Sequence, residues 1–166
     1  MVVSFQANQN KQGEFRPAFT MIEMIFVIVI LGILAAVAIP RLAASRDDAV
    51  LVKGKSQVSA IRSGISLQKS KRMLEGTTPF IPTVLDSSTN YSAANERLFN
   101  FADGNSSNVL EYPIYSNLTQ DGSWTKTAAN SYVFNLGRTT IAFDYNATTG
   151  SFDCNHANAD CKSLAE

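Results

Sequence analysis

The chain has 166 residues, 45% of them hydrophobic, with 14 basic and 14 acidic side chains that cancel to a formal charge of zero. This length and composition suit one domain with an appendage and exclude collagen-like, disulfide-dense and wholly disordered classes. A neutral total also argues against a dedicated, strongly basic nucleic-acid binder. The zero conceals a polarity, however: residues 1–18 carry +1, 19–40 carry −1, 41–75 carry +5 and 76–166 carry −5.

From Phe19 to Ile39 the chain reads FTMIEMIFVIVILGILAAVAI, 21 residues with a single charge, Glu23. As an α-helix this run spans about 30 Å, the thickness of a bilayer's hydrocarbon core. A secretory signal has a shorter apolar stretch followed by a small-residue cleavage site. Here the pair Pro17-Ala18 comes before the run instead. A carboxylate deep in lipid costs roughly 2–3 kcal/mol, which marks Glu23 as a functional candidate. An acid in a helix's first turns also suits the macrodipole, so position alone does not settle its role. Gly32 and Ala36 form a small-xxx-small pair that lets membrane helices approach, though small residues are common in such helices. Pro40 removes an intrahelical hydrogen bond and is expected to kink the helix.

Beyond Pro40 the helical pattern resumes. Leu51, Gly54, Val58, Ile61 and Ile65 follow a 3-4-3-4 spacing, a narrow stripe along one face. Gly76, followed by Thr77, Thr78 and Pro79, supplies the stop. One helix over 19–75 has 57 residues and a length of roughly 85 Å, too long for a domain of this size to bury. Its first half therefore needs lipid or other copies of itself. The basic side chains Arg41, Arg46, Lys53, Lys55, Arg62, Lys69, Lys71 and Arg72 read as a solvated helix face. The rival reading is a surface for anionic headgroups, acidic neighbours or DNA. No aromatic residue interleaves them for base stacking, and Asp47 and Asp48 interrupt them, so nucleic acid is the disfavoured partner.

Residues 77–130 are rich in Ser, Thr, Asn, Pro and Gly and read as a long connection. A short helix is expected over Ala93–Phe101 and a strand over Val109–Tyr115, which Pro113 confines to an edge or a bulge. The pattern then sharpens. Tyr132, Phe134 and Leu136 alternate with Val133 and Asn135, and Ile141, Phe143 and Tyr145 alternate with Ala142 and Asp144. Gly137-Arg138 and 146–150 are turn signals, and Ser151–Cys154 returns as a third strand. The expected fold class is α+β, a long N-terminal helix whose soluble half packs on the aromatic face of a small antiparallel meander.

The stretch Arg16-Pro17-Ala18-Phe19-Thr20-Met21-Ile22-Glu23, followed by MIFVIVILGILAAVAIP, resembles the N-terminus of type IV prepilins and of the related type II secretion pseudopilins, over about residues 14–50. The resemblance implies a cytoplasmic leader, residues 1–18, removed by a membrane aspartyl peptidase between Ala18 and Phe19, with N-methylation of the new Phe19 terminus. The family usually has glycine before the cut, where this chain has the also small Ala18. Glu23 is the fifth residue counted from Phe19, where the family has its glutamate, and Pro40 falls where the family has a kinking proline. In the family that glutamate is thought to neutralise the terminal amine of a neighbouring subunit, a pairing that makes two charges tolerable in low dielectric and sets register. The implied organisation is leader 1–18, transmembrane and assembly helix 19–39, soluble half of the spine 40–75, and globular head 76–166. The implied location is the bacterial inner membrane, with the N-terminus cytoplasmic and the head periplasmic, followed by incorporation into a filament. Basic stems are then expected nearer the filament axis and acidic heads outside.

On this topology Cys154 and Cys161 lie in an oxidising compartment, and a disulfide is expected. Metal binding is the rival, since His156 and Asp160 lie between them, but one short loop with one histidine is a poor tetrahedral site. Asp144-Tyr-Asn146-Ala-Thr148 resembles the opening of a calcium loop without its glycine or closing glutamate, and reads better as a hairpin turn. Asn90, Asn105, Asn117 and Asn146 each begin an Asn-x-Ser/Thr tripeptide. Asp103 and Asp144 lie two residues before Asn105 and Asn146, as in the extended acceptor of some bacterial glycosylation systems, although short patterns also arise by chance.

No Gly-rich phosphate loop, zinc-ligand spacing or nucleophile elbow is present, so neither an enzyme nor a cofactor is expected. The reading is a structural subunit of a type IV pilus-like filament. Its expected partners are like and related pilin subunits, the prepilin peptidase, and inner-membrane assembly machinery that supplies the driving energy. The alternatives are a type II secretion pseudopilin of a short periplasmic filament, or a membrane-anchored periplasmic binding domain that never polymerises. A terminal cysteine pair and the lack of a recognisable calcium region lean towards the pilus.

Overall fold

The computed structural model describes residues 19–100 and 108–166, without the side chains of 43–45. The leader, Ala18 and the tripeptide at Asn105 lie outside the described residues. Helix α1 runs from Met21 to Glu75 without a break at Pro40. By its contacts the chain divides after Arg41 into an N-terminal unit and a head that begins at Leu42.

The end of α1 is a Schellman closure. Gly76 takes φ +67°, its amide donates to Met73 O at 3.4 Å, and the Thr77 amide reaches Arg72 O at 3.0 Å. A side chain would be strained at that φ, which is why glycine stops the helix here. Within the head, Gly54, Val58, Ile61 and Ile65 are buried and Leu51 half-buried, the stripe expected from the spacing. The same face continues through Gln68 and Arg72, both buried. Gln68 Nε2 donates to Asn108 O at 2.6 Å and Arg72 Nη1 to Pro79 O at 3.1 Å, so polar side chains prolong the packed face where apolar ones end.

The sheet is an antiparallel meander of four strands: β3 (Trp124–Ala128), β4 (Ser131–Leu136), β5 (Thr139–Asn146) and β6 (Ser151–Cys154). Leu136 pairs with Thr139 around the two-residue Gly137-Arg138 turn, with Gly137 at φ +60°. Tyr132, Phe134, Ile141, Phe143 and Tyr145 are all buried, so the alternating residues do form the inner face. Trp124 lies at its centre, with ring centroids 5.0 Å from Phe134, 5.2 Å from Phe143 and 5.8 Å from Phe152. Its Nε1 donates to Gln57 Oε1 on α1 at 3.0 Å, satisfying the indole while tying sheet to helix.

Three local expectations are corrected. Strand β3 lies within what reads as connection, because Trp124-Thr-Lys-Thr-Ala has one apolar anchor and buries Thr125 and Lys126 as well. No helix forms in the described part of 93–101; Arg97–Leu98 is a short strand, β1, paired with β2 (Ile114–Tyr115). Asn95 and Phe99 take φ of +60° and +57°, and the backbone bonds run across the fold, from the Asn95 amide to Ser116 O and from the Ser116 amide to Glu96 O, both at 2.8 Å. These long-range partners replace the local ladder a helix would need. The strand over 109–115 shrinks accordingly to Ile114–Tyr115. A short C-terminal helix absent from the sequence reading, α2 (Ala159–Ala165), is capped by Asn158 and buries Cys161 and Leu164.

Two glycines of α1 allow the close approach. A Cβ at Gly54 would meet Leu164 and the Phe134 ring, and one at Gly64 would meet the Val109 carbonyl. The first obstacle is side-chain ends and the second is backbone. Gly64→Ala is therefore expected to destabilise the head by about 1–3 kcal/mol, the range for overpacking. Thermal unfolding of the detergent-solubilised chain, followed by circular dichroism, checks this, with Gly54→Ala expected to lower Tm less.

Candidate assembly site and the ties of the head

In the N-terminal unit, Thr20 caps α1. Its carbonyl accepts from the amides of Glu23 at 3.1 Å and Met24 at 3.2 Å, and its Oγ1 lies 3.3 Å from the Glu23 amide. Glu23 is thus the third helical residue after a threonine cap, the pattern of a capping box. Its carboxylate is exposed in the first turn, beside Ile22, Ile25, Phe26 and Val29. The side chains around it are uncovered too: Phe19 is 77% exposed, Met21 83% and Phe26 66%. No residue of the most apolar 18-residue window of α1 is buried, and the helix is long and apolar enough to cross a membrane. A Cβ at Gly32 would meet nothing within 4 Å. Phe19 and Thr20 precede the helix.

In the head, the chemistry-bearing residues serve the fold. Asp86 and Lys126 form a buried ion pair, Oδ1 to Nζ at 2.6 Å, with side-chain exposures of 0% and 4%. The Tyr132 hydroxyl donates to Asp86 Oδ2 at 2.6 Å, the Ser88 amide donates to Oδ1 at 3.1 Å, and Lys126 also reaches Ser88 O at 2.7 Å. Burial, then the Asp86 charge, holds the Tyr132 phenol far above its ordinary range. It is therefore a permanent donor at neutral pH. These partners lie 38 to 46 residues apart in sequence, and only an isolated Asp in a polar stretch marked them.

Arg62 is the second tie. From α1 it donates to Phe152 O at 3.0 Å, Ala165 O at 2.8 Å and Asp153 Oδ1 at 2.9 Å, joining α1, β6 and α2. Desolvation would raise the Asp153 carboxyl, but the Cys154 amide, His156 and Arg62 outweigh it and lower its pKa below the usual value. Of the basic run, then, Arg62 and Arg72 are packing residues, while Arg41, Arg46, Lys53, Lys55 and Lys71 are exposed. Cys154 and Cys161 are joined in a disulfide. Asp153, His156 and Cys161 each bring a potential ligand atom within 4.8 Å of the others. The Cys161 sulfur is committed to the disulfide and Asp153 carries the Arg62 guanidinium, so the cluster is engaged in structure. The 144–148 stretch is the end of β5 and the start of the hairpin turn over 147–150, closed by the Gly150 amide on Asn146 O at 2.7 Å.

No family model matches the chain, and no solved structure matches it. It is similar to the type II secretion system core protein G of Pseudomonas aeruginosa, with 39% identity over 58 residues, which cover 35% of this chain and 41% of that protein. The chain thus spans about two fifths of that relative's length. The similarity supports the pilin and pseudopilin resemblance.

Three contributions to the stability of the head are measurable. Lys126→Met leaves a buried carboxylate without its cation and is expected to cost about 3–5 kcal/mol, against about 1–3 kcal/mol for Tyr132→Phe. The Tyr132 contribution is present in full below the phenol's unfolded pKa and declines as pH rises beyond about 10. That of Asp153 is present above its unfolded pKa and is lost as pH falls through the depressed folded value. Denaturant titrations at alkaline, neutral and acid pH read all three.

Proposed function

We propose that the chain is a structural subunit of a pilin-type filament, held in the inner membrane by the first part of α1 and polymerised through it. The observation that carries this reading is an apolar helical surface whose most apolar part has no buried residue, bearing one carboxylate at Glu23, three residues after the Thr20 cap. A helix hydrophobic all round needs lipid or protein around it, and a filament core offers protein where the membrane offered lipid. Residues 1–18 are the leader, cut between Ala18 and Phe19 on the cytoplasmic side. The amine created on Phe19, N-methylated, pairs with Glu23 of a neighbouring subunit. Gly32 lets adjacent helices approach and Pro40 permits local bending during packing. The partners are like and related pilin subunits, the prepilin peptidase and the inner-membrane assembly machinery. The head lies in the periplasm before assembly, and the disulfide suits that oxidising compartment.

The finer assignment is a type IV pilus-like filament, in which the disulfide-closed C-terminal loop faces outward. The second reading, a type II secretion pseudopilin in a short periplasmic filament, is favoured by the similarity to core protein G. Imaging of surface filaments with and without the protein separates them.

Intact-mass measurement on the membrane-extracted chain is expected to show loss of residues 1–18 and gain of one methyl group. An uncut chain would favour a non-polymerising anchor. Glu23→Ala is expected to insert normally yet lower filament yield by about tenfold or more, because an unpaired charge in low dielectric costs several kcal/mol. Normal yield from that variant would sink the pairing.

A further inference from the structure

We propose that Asn146 is a glycan attachment site, taking a sugar in N-glycosidic linkage on Nδ2 from a glycosyl donor activated as a lipid-linked pyrophosphate. Three Asn-x-Ser/Thr tripeptides lie among the described residues, at Asn90, Asn117 and Asn146, and the fold separates them. Asn90 Nδ2 is engaged by Glu96 Oε1 at 2.9 Å. Asn117 makes an Asx turn through Oδ1, but it is half-buried and its Nδ2 donates to Gln120 Oε1 at 3.5 Å. Neither offers a free amide on an open surface.

Asn146 does. It is exposed at the end of β5, where the chain turns into β6. Its Oδ1 accepts from the amides of Thr148 at 2.8 Å and Thr149 at 3.2 Å, an Asx turn that fixes the side-chain amide plane. Because Oδ1 faces the turn, Nδ2 is directed away from it and has no partner among the described residues. The two-residue period of the strand sets Asp144 on the same exposed face. Asp144 Oδ1 accepts from Ser131 Oγ at 2.6 Å, which orients the carboxylate and leaves Oδ2 to meet a cationic group of a transferase. Thr148, also exposed, completes the tripeptide. A nucleophile, a flanking carboxylate and the hydroxyl residue thus share one rigid hairpin end, accessible in the folded chain.

In the transfer, Nδ2 attacks the anomeric carbon of the donor. An N–C bond forms and the C–O bond to pyrophosphate breaks, the leaving group departing with the bonding pair. The Nδ2 proton passes to a base of the transferase, and no oxidant or reductant is involved. The inference rests on the exported head of the proposed function and not on polymerisation, so a cut, methylated chain unmodified at Asn146 defeats this inference alone.

The test uses the full chain extracted from membranes of its native host and digested with trypsin. The 139–162 peptide, which contains both cysteines, is expected to carry the added mass of one or more sugar residues, localised to Asn146 by fragmentation. Asn146→Asp keeps the Oδ1 acceptor of both turn bonds and removes the nucleophile. It is expected to lose the sugar while Tm, compared with the unglycosylated parent chain produced in a host without the transferase, is unchanged. Asp144→Ala should lower occupancy by about tenfold, the worth of one charge-assisted hydrogen bond. An unmodified peptide in the native chain, sugar that persists in Asn146→Asp, or undiminished occupancy in Asp144→Ala overturns the proposal.

Discussion

Everything in this protein answers to one constraint: a single helix carries two surfaces with incompatible solvents. Along the first part of α1, apolar side chains lie all round the helix and none of the most apolar window is buried. Each large apolar side chain left in water forgoes about 1.5–3 kcal/mol. Over a stretch of this length the sum far exceeds the roughly 5–15 kcal/mol by which a domain is stable. The segment is therefore completed by a bilayer or by other proteins. Glu23 is the exception within it, a carboxylate that is costly in lipid unless it is neutralised.

The head must then fold on the other part of the helix, using a narrow stripe. Val58, Ile61 and Ile65 supply apolar contact, while Gly54 and Gly64 supply proximity. Six aromatic rings, Phe99, Trp124, Tyr132, Phe134, Phe143 and Phe152, fill the space between helix and sheet. Such a small core has little apolar area to spare, and two polar networks and one covalent link reinforce it. The Asp86–Lys126–Tyr132 network holds the long connection to the sheet, Arg62 holds the C-terminus to the helix, and the disulfide closes the last loop. By the loop-closure estimate the disulfide contributes about 2–3 kcal/mol. Buried ion pairs are weak sources of net stability but strong penalties against wrong arrangements. This suits a region whose sequence has little hydrophobic periodicity of its own.

The apolar run, the stop at Gly76, the 51–65 stripe and the last three strands were legible because each is a local pattern, periodic at 3.6 or 2 residues, and local patterns dictate local conformation. The inner face of β4 and β5 follows directly from aromatic alternation. Residues 77–130 were not legible for the opposite reason. Strand β3 has only Trp124 as an apolar anchor, and β1 and β2 are two residues each, held by bonds to Ser116 and Glu96 that no sequence window contains. The basic run misled in part, since charge alone cannot tell Lys55 in solvent from Arg62 between two carbonyls and a carboxylate.

The amino-acid sequence by itself determined a membrane-length helix with one carboxylate, an α+β head and a terminal cysteine pair, since hydrophobicity and strand alternation are properties of neighbours along the chain. Tertiary structure alone decided that Lys126 is buried against Asp86, that Gly64 must lack a side chain, and that Asn146, among the three described tripeptides, presents an open amide. Those outcomes depend on which distant backbone and side-chain atoms come within a few ångströms, and on which groups water no longer reaches. The neutral total charge shows the same division. It is a sum over a basic segment, 41–75, and an acidic one, 76–166, that are already separate along the sequence, and the fold is what sets Arg62 of the first against Asp153 of the second.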